Sequence, residues 1–80
     1  MKKRALCIDN QDYPASLILR KAYRVIEPEA KDPAEWLRII DESGEDYLFP
    51  AKRFVQFEVS DQDEHLIEQA TAHELEALIA

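Results

Sequence analysis

The chain has 80 residues, 46% of them hydrophobic and 34% charged, with a formal net charge of −7. That length holds one small domain, and that apolar content is too high for a disordered chain. No apolar run nears the roughly 18 residues of a membrane span, and the Met1-Lys2-Lys3-Arg4 start leads into no apolar signal segment. A lone Cys7 excludes an internal disulfide framework and the usual zinc-ligand sets, and it fits a reducing, cytoplasmic setting.

The charge is unevenly spread. All ten Lys and Arg lie between Lys2 and Arg53, while Asp61, Asp63, Glu64, Glu68, Glu74 and Glu76 occupy residues 60–80 with no compensating base. A near-neutral body is followed by an acidic tail.

Residues 3–9 form a short apolar strand, and Asn10-Gln11-Asp12-Tyr13-Pro14 is a loop in which Pro14 holds Tyr13 extended. Residues 17–26 predict a second strand, with Tyr23 and Val25 alternating around Arg24. Pro28 and Pro33 break the next stretch into a loop. Residues 36–41 are the third strand, with Leu37 and Ile39 on one face. Residues 41–46 are a hairpin tip that holds the only glycine, Gly44, where a positive φ is needed. Residues 47–49 return as a fourth strand, stopped by Pro50. Residues 54–59 are the fifth, with Val55, Phe57 and Val59 assigned to the buried face and Gln56 and Glu58 to solvent.

Five short strands with one tight hairpin predict a mainly β fold, a small five-stranded barrel that leaves no open sheet edge. Its expected core is Ala5 or Leu6, Val25, Leu37, Ile39, Leu48, Val55 and Phe57. The tail then changes period. Ser60 or Asp61 caps one C-terminal α-helix, with Asp63 or Glu64 as its acidic partner. Ile67, Ala70, Thr71, Leu75 and Leu78 make a narrow apolar stripe interrupted by Glu74. The expected organisation is a barrel over residues 1–59 with the acidic helix of residues 60–80 docked on it. A monomer is favoured over a homodimer, because two acidic helices repel.

The order Ala5-Leu6, Leu19-Arg20-Lys21-Ala22-Tyr23-Arg24-Val25-Ile26, Trp36-Leu37, Ser43-Gly44, Phe49-Pro50 and Phe54-Val55 resembles the Src-homology-3 (SH3) barrel over residues 4–59. The stretch from Asp41 to Ala51 is similar to a group of small bacterial SH3-like proteins without an assigned activity. That likeness implies a fold and no mechanism. SH3 domains seat proline-rich peptides between aromatic rings. Trp36, Pro50 and Phe54 match that groove, whereas the two first-strand aromatics of the family are Cys7 and Asp9 here, and Pro50 to Phe54 is one residue longer. Asp9, Asp12 or Asp32 would supply the acidic patch that selects a ligand arginine.

The chemistry-bearing residues otherwise read plainly. Cys7 is a small buried hydrophobe, with no base in sequence to activate it. His65 and His73 stand two turns and about 80° apart on the helix, so they share no face as metal ligands would. The acidic hairpin lacks the span of a calcium loop. Lys2-Lys3-Arg4, Arg20-Lys21, Arg24 and Lys52-Arg53 suggest a basic stripe with stacking faces at Tyr13, Trp36 or Phe49, against which stands the overall negative charge. No nucleophile–base set, phosphate loop or metal cluster appears, so no enzyme and no cofactor are expected. The reading is a protein-interaction module with candidate partner-binding residues Tyr13, Trp36, Pro50 and Phe54. The alternative is a nucleic-acid-binding barrel restrained by its acidic tail.

Overall fold

A computed structural model describes the backbone of residues 1–79 and the side chains of residues 1–70. Strands β1 (Lys2–Cys7), β2 (Ala22–Arg24), β3 (Trp36–Ile40), β4 (Asp46–Pro50) and β5 (Phe54–Val59) precede one helix, α1 (Asp61–Ile79). A 3₁₀ turn, Ala51–Arg53, separates β4 from β5. The strands form two antiparallel sheets, ordered β2-β1-β5 and β3-β4. A bridge between Val25 and Ile39 links them on one side, where the Ile26 N–H also donates to the Arg38 carbonyl at 3.0 Å. Among the described residues no ladder joins β4 to β5, so the two sheets do not close into a barrel. No described helix is long and apolar enough to cross a membrane.

The core lies between the sheets. Directly paired residues share a face, so Ala5↔Tyr23 and Cys7↔Phe54 place four side chains of the first sheet on one side. They meet Ile39 and Phe49 of the second sheet and Leu17 from the loop after β1, and all seven are at most 6% exposed. Phe49 packs edge-to-face on Tyr13 at 5.0 Å and on Phe54 at 6.4 Å between centroids, a geometry in which the positive rim of one ring meets the negative face of the next. Val25 and Leu37 pack against this cluster, half-buried.

Two facing assignments differ from the sequence expectation. In β5 it is Phe54 that is buried, while Val55 is 51% exposed and Phe57 only half-buried. The register explains it: Leu6↔Val55 and Arg4↔Phe57 turn those residues to the outer face, on which α1 begins. In β4, likewise, Phe49 is buried opposite Leu37, and Leu48 is half-buried opposite Arg38. Alternation alone gives the period and leaves the choice of face open when both faces carry apolar residues.

The second strand is also shorter than expected. Residues 13–20 coil instead, with Ser16 and Leu17 N–H both donating to the Tyr13 carbonyl at 3.1 and 3.0 Å. Arg20 then takes a left-handed φ of 68°. Its N–H donates to the Cys7 carbonyl while the Cys7 N–H donates to the Lys21 carbonyl, so two residues oppose one and the strand starts only afterwards.

The hairpin forms as expected. Gly44 has φ +83°, its N–H donates to the Asp41 carbonyl at 3.0 Å, and a Cβ there would meet nothing within 4 Å. Glycine is required for its backbone and not for space. Ser60 caps α1, its Oγ accepting from the Asp63 N–H at 3.0 Å, with Asp61, Asp63 and Glu64 in the first turn where the helix dipole favours anions. Of the expected helix stripe, Ile67 is half-buried and Ala70 exposed; Thr71, Leu75 and Leu78 lie outside the described side chains.

Candidate functional site

The four candidate partner-binding residues separate into two pairs. Trp36 and Pro50 are direct cross-strand neighbours at the start of β3 and the end of β4. Trp36 is 39% exposed and Pro50 half-buried. Tyr13 and Phe54 instead flank Phe49, one on either side, within the aromatic cluster. Phe54, at 6% exposed, is a core residue and presents no face to a partner. The turn Ala51–Arg53 follows Pro50 and delivers Phe54 opposite Cys7.

Trp36 stands on the rim of a groove of about 760 Å³. Leu37, Pro33, Ala34 and Ala51 continue its apolar side, Val25, Ile26 and Pro28 border it, and Lys2, Lys3, Gln56 and Glu58 line the wall made by β1 and β5. The loop bearing Pro28 and Pro33 is fixed in place from below. Arg38 donates bidentately to Asp32, Nε–Oδ2 2.9 Å and Nη2–Oδ1 2.7 Å, and through Nη1 to Asp46 at 2.9 Å. Asp32 also accepts from the Glu29 N–H, and the Asp32 N–H donates back to the Glu29 carbonyl, both at 2.9 Å. The Arg38 fork holds the Asp32 carboxyl below its ordinary pKa, and Asp32 and Asp46 together push that of Arg38 upward.

The acids expected to greet a ligand arginine are therefore engaged inside the protein. Asp32 is held by Arg38, with its side chain only 2% exposed. Asp9 binds Arg53 at 2.7 Å and Asp12 binds the same guanidinium, which also lies 6.0 Å from the Tyr13 ring. The Gln11 N–H and Arg53 lower the Asp9 pKa. The basic stripe is thinned in the same way. Arg4, Lys21 and Arg53 pair with carboxylates at short range, and Arg24 lies within 4.0 Å of two. Cys7 is fully buried, and desolvation pushes its thiol up, away from nucleophilic reactivity. Asp41, at the hairpin, is 7% exposed and accepts from the Ser43 N–H at 2.8 Å and hydroxyl at 2.5 Å, so it braces the turn.

Sequence reasoning singled out Trp36 and Pro50 but missed the Arg38–Asp32 staple and the two loop prolines as groove residues. The signal was the arginine at a strand position that alternates with apolar residues, preceded six residues earlier by an aspartate between prolines. Comparison with protein-family models, with curated proteins and with solved structures finds no match.

Proposed function

We propose that the chain is an SH3-like small barrel acting as a non-enzymatic protein-interaction module, with Trp36 at the centre of its docking surface. The barrel reading is supported by the passage of the chain from β2 through the Val25–Ile39 bridge into the second sheet, so that one curved strand serves both. The Ala51 N–H donates to the Glu35 carbonyl at 2.9 Å and draws the 3₁₀ turn to the start of β3, which brings the ends of β4 and β5 toward closure.

The observation that carries the interaction reading is the half-exposed indole of Trp36 beside Pro50, on the rim of a groove whose loop is pre-ordered by Arg38. Tryptophan is enriched among binding hot spots, and a pre-ordered loop lowers the entropy lost on docking. A protein partner is favoured over nucleic acid because Arg4, Lys21, Arg24 and Arg53 of the expected basic stripe already face carboxylates, and the −7 charge repels phosphate.

The test uses Trp36 as both handle and reporter, since it is the sole tryptophan. A partner recovered on the immobilised wild-type chain is titrated against free protein while indole fluorescence is followed. Trp36→Ala is expected to weaken its affinity at least tenfold, about the effect of losing one hot-spot ring. Equal affinity for the variant overturns this placement of the surface. Steeply salt-dependent recovery of nucleic acid overturns the choice of partner.

A further inference from the structure

Two arginines stand side by side on the outer face of the first sheet, at the directly paired positions Arg4↔Arg24. Arg4 is buried and fully forked: its Nε donates to Glu64 Oε2 at 2.8 Å, Nη2 to Glu64 Oε1 at 2.6 Å, and Nη1 to the Ala22 carbonyl at 2.9 Å. Arg24 is different. Its side chain is 53% exposed and reaches α1 only through Nε, 3.9 Å from Glu64 and 4.0 Å from Glu68. Both separations exceed hydrogen-bonding range, so its charge is balanced while, among the described residues, its planar fork stays unfilled. Glu68 accepts one long hydrogen bond from Arg4 Nη2, at 3.4 Å, and its side chain is 48% exposed. Beside these groups opens a depression of about 180 Å³, bounded by Arg4, Lys21, Tyr23, Arg24 and Glu68 and by Asp41, whose carboxylate is turned to Ser43.

From this juxtaposition we infer that Arg4 and Arg24 form a binding site for a single phosphoryl group, with the Glu68 carboxylate as its resident competitor. Glu64 is the permanent structural partner of Arg4, because its two short bonds are buried. Glu68 holds the place of an external anion: an oxygen at that point touches Arg4 and faces the open fork of Arg24. A tetrahedral phosphoryl group fills such a fork bidentately, which one distant carboxylate oxygen does not. Two guanidiniums directly opposite each other on one sheet face are mutually destabilising unless anions sit over them, so a vacated site draws an anion back. The size of the depression suits one compact group, and the overall charge of −7 disfavours a polynucleotide strand, whose many phosphates it repels.

Inorganic phosphate is the probe, followed by the Nε–Hε resonance of Arg24 in heteronuclear NMR on the full chain. The wild type is expected to show a saturable shift, and Glu68→Gln, which removes one competing charge, a tightening of about fivefold. Arg24→Ala removes an exposed side chain and is expected to abolish the saturable response of the neighbouring Arg4 resonance. Phenyl phosphate separates the sources: tighter binding than the free ion assigns the site to a phosphate monoester, equal binding to phosphate itself. Trp36→Ala is expected to bind phosphate as the wild type does, so this result stands apart from the partner surface. The inference is overturned if Glu68→Gln shows no saturable shift, if Arg24→Ala binds as tightly as the wild type, or if a single-stranded oligonucleotide binds where phosphate does not.

Discussion

On its inner face the β2-β1-β5 sheet presents Ala5, Cys7, Tyr23 and Phe54, each at most 6% exposed, whereas its outer face presents Arg4, Leu6, Val55 and Phe57. The inner face is closed by area. Its side chains gain from leaving water whatever their exact partner, at roughly 1.5–3 kcal/mol for a large apolar group. The outer face is closed by direction: α1 is fastened through the buried fork of Arg4 on Glu64, sixty positions apart in sequence. Among the described residues Val55 remains 51% exposed and Leu66 of the helix 53% exposed, while Leu6, Phe57 and Ile67 are half-buried, so the apolar cover on this side is partial. In so short a chain the area available for burial runs out after one face. An ion pair then fixes where the helix sits, without adding much net stability over an apolar contact of equal shape.

The largest expected effect breaks the inner face. Phe54→Ala removes a ring packed on Phe49 and buried opposite Cys7. It is expected to destabilise by about 3–5 kcal/mol, a large part of the stability of a small domain. Urea titration followed by far-ultraviolet circular dichroism checks it. A loss under 1 kcal/mol would mean that Phe54 is not a core residue and would return it to the binding surface.

Breaking the outer face costs less and is reparable. Glu64→Ala leaves the Arg4 guanidinium, whose side chain is only 6% exposed, with the 3.4 Å contact to Glu68 as its remaining ion pair, and is expected to cost about 3 kcal/mol. The double substitution Arg4→Met with Glu64→Leu is expected to recover most of that loss, because no buried charge then lacks a partner. An area-driven contact has no such signature, so a failure of the double variant to recover would show the outer face to be closed by packing as well.

Tyr23 sharpens the contrast, since it carries a directional contact at the edge of the inner face. Its hydroxyl donates to Glu42 at 2.6 Å and accepts from the Ile18 N–H at 2.7 Å. Tyr23→Phe leaves that N–H without its acceptor and is expected to cost about 1 kcal/mol at neutral pH. Burial and the neighbouring Glu42 carboxylate raise the Tyr23 pKa above its ordinary value of 10.0. The folded chain thus keeps a proton that the unfolded chain releases above about pH 10, so stability falls as pH rises from there. Tyr23→Phe removes this contribution, and its stability curve is expected to be flatter than the wild type's in alkali. Parallel curves would show that the hydroxyl ionises as freely in the fold as outside it.

How much of this was legible in the sequence depends on what kind of signal each feature leaves. Gly44 and the Ser60 cap are local: each is set by a backbone requirement that one residue type meets. The periods of β3 and β5 were equally legible. The facing of β5 was not, because Phe54, Val55, Phe57 and Val59 offer apolar residues at both parities. The choice depends on the pairing Cys7↔Phe54, a contact between distant parts of the chain. The early end of the second strand hangs on Arg20 at φ 68°, a conformation that arginine does not advertise. Trp36 and Pro50 were legible as candidates from residue type alone. Their fixed setting was not, because it depends on Arg38 reaching Asp32 across a loop.

The smallest expected effect tests that facing directly. Val55 and Phe54 are adjacent in β5, and the sequence alone assigned the first to the core. The register assigns it to the outer face opposite Leu6, half in solvent. Val55→Thr keeps the branched shape and the strand preference while adding a hydroxyl. In a dry core that hydroxyl needs a partner or costs about 1–3 kcal/mol, whereas on the outer face water supplies it. The expected change is within about 0.5 kcal/mol, read from the same urea titration as Phe54→Ala. Together the two neighbours fix the orientation of the strand: a large loss at Phe54 with none at Val55 is the pattern of the register described, and the reverse pattern turns β5 over.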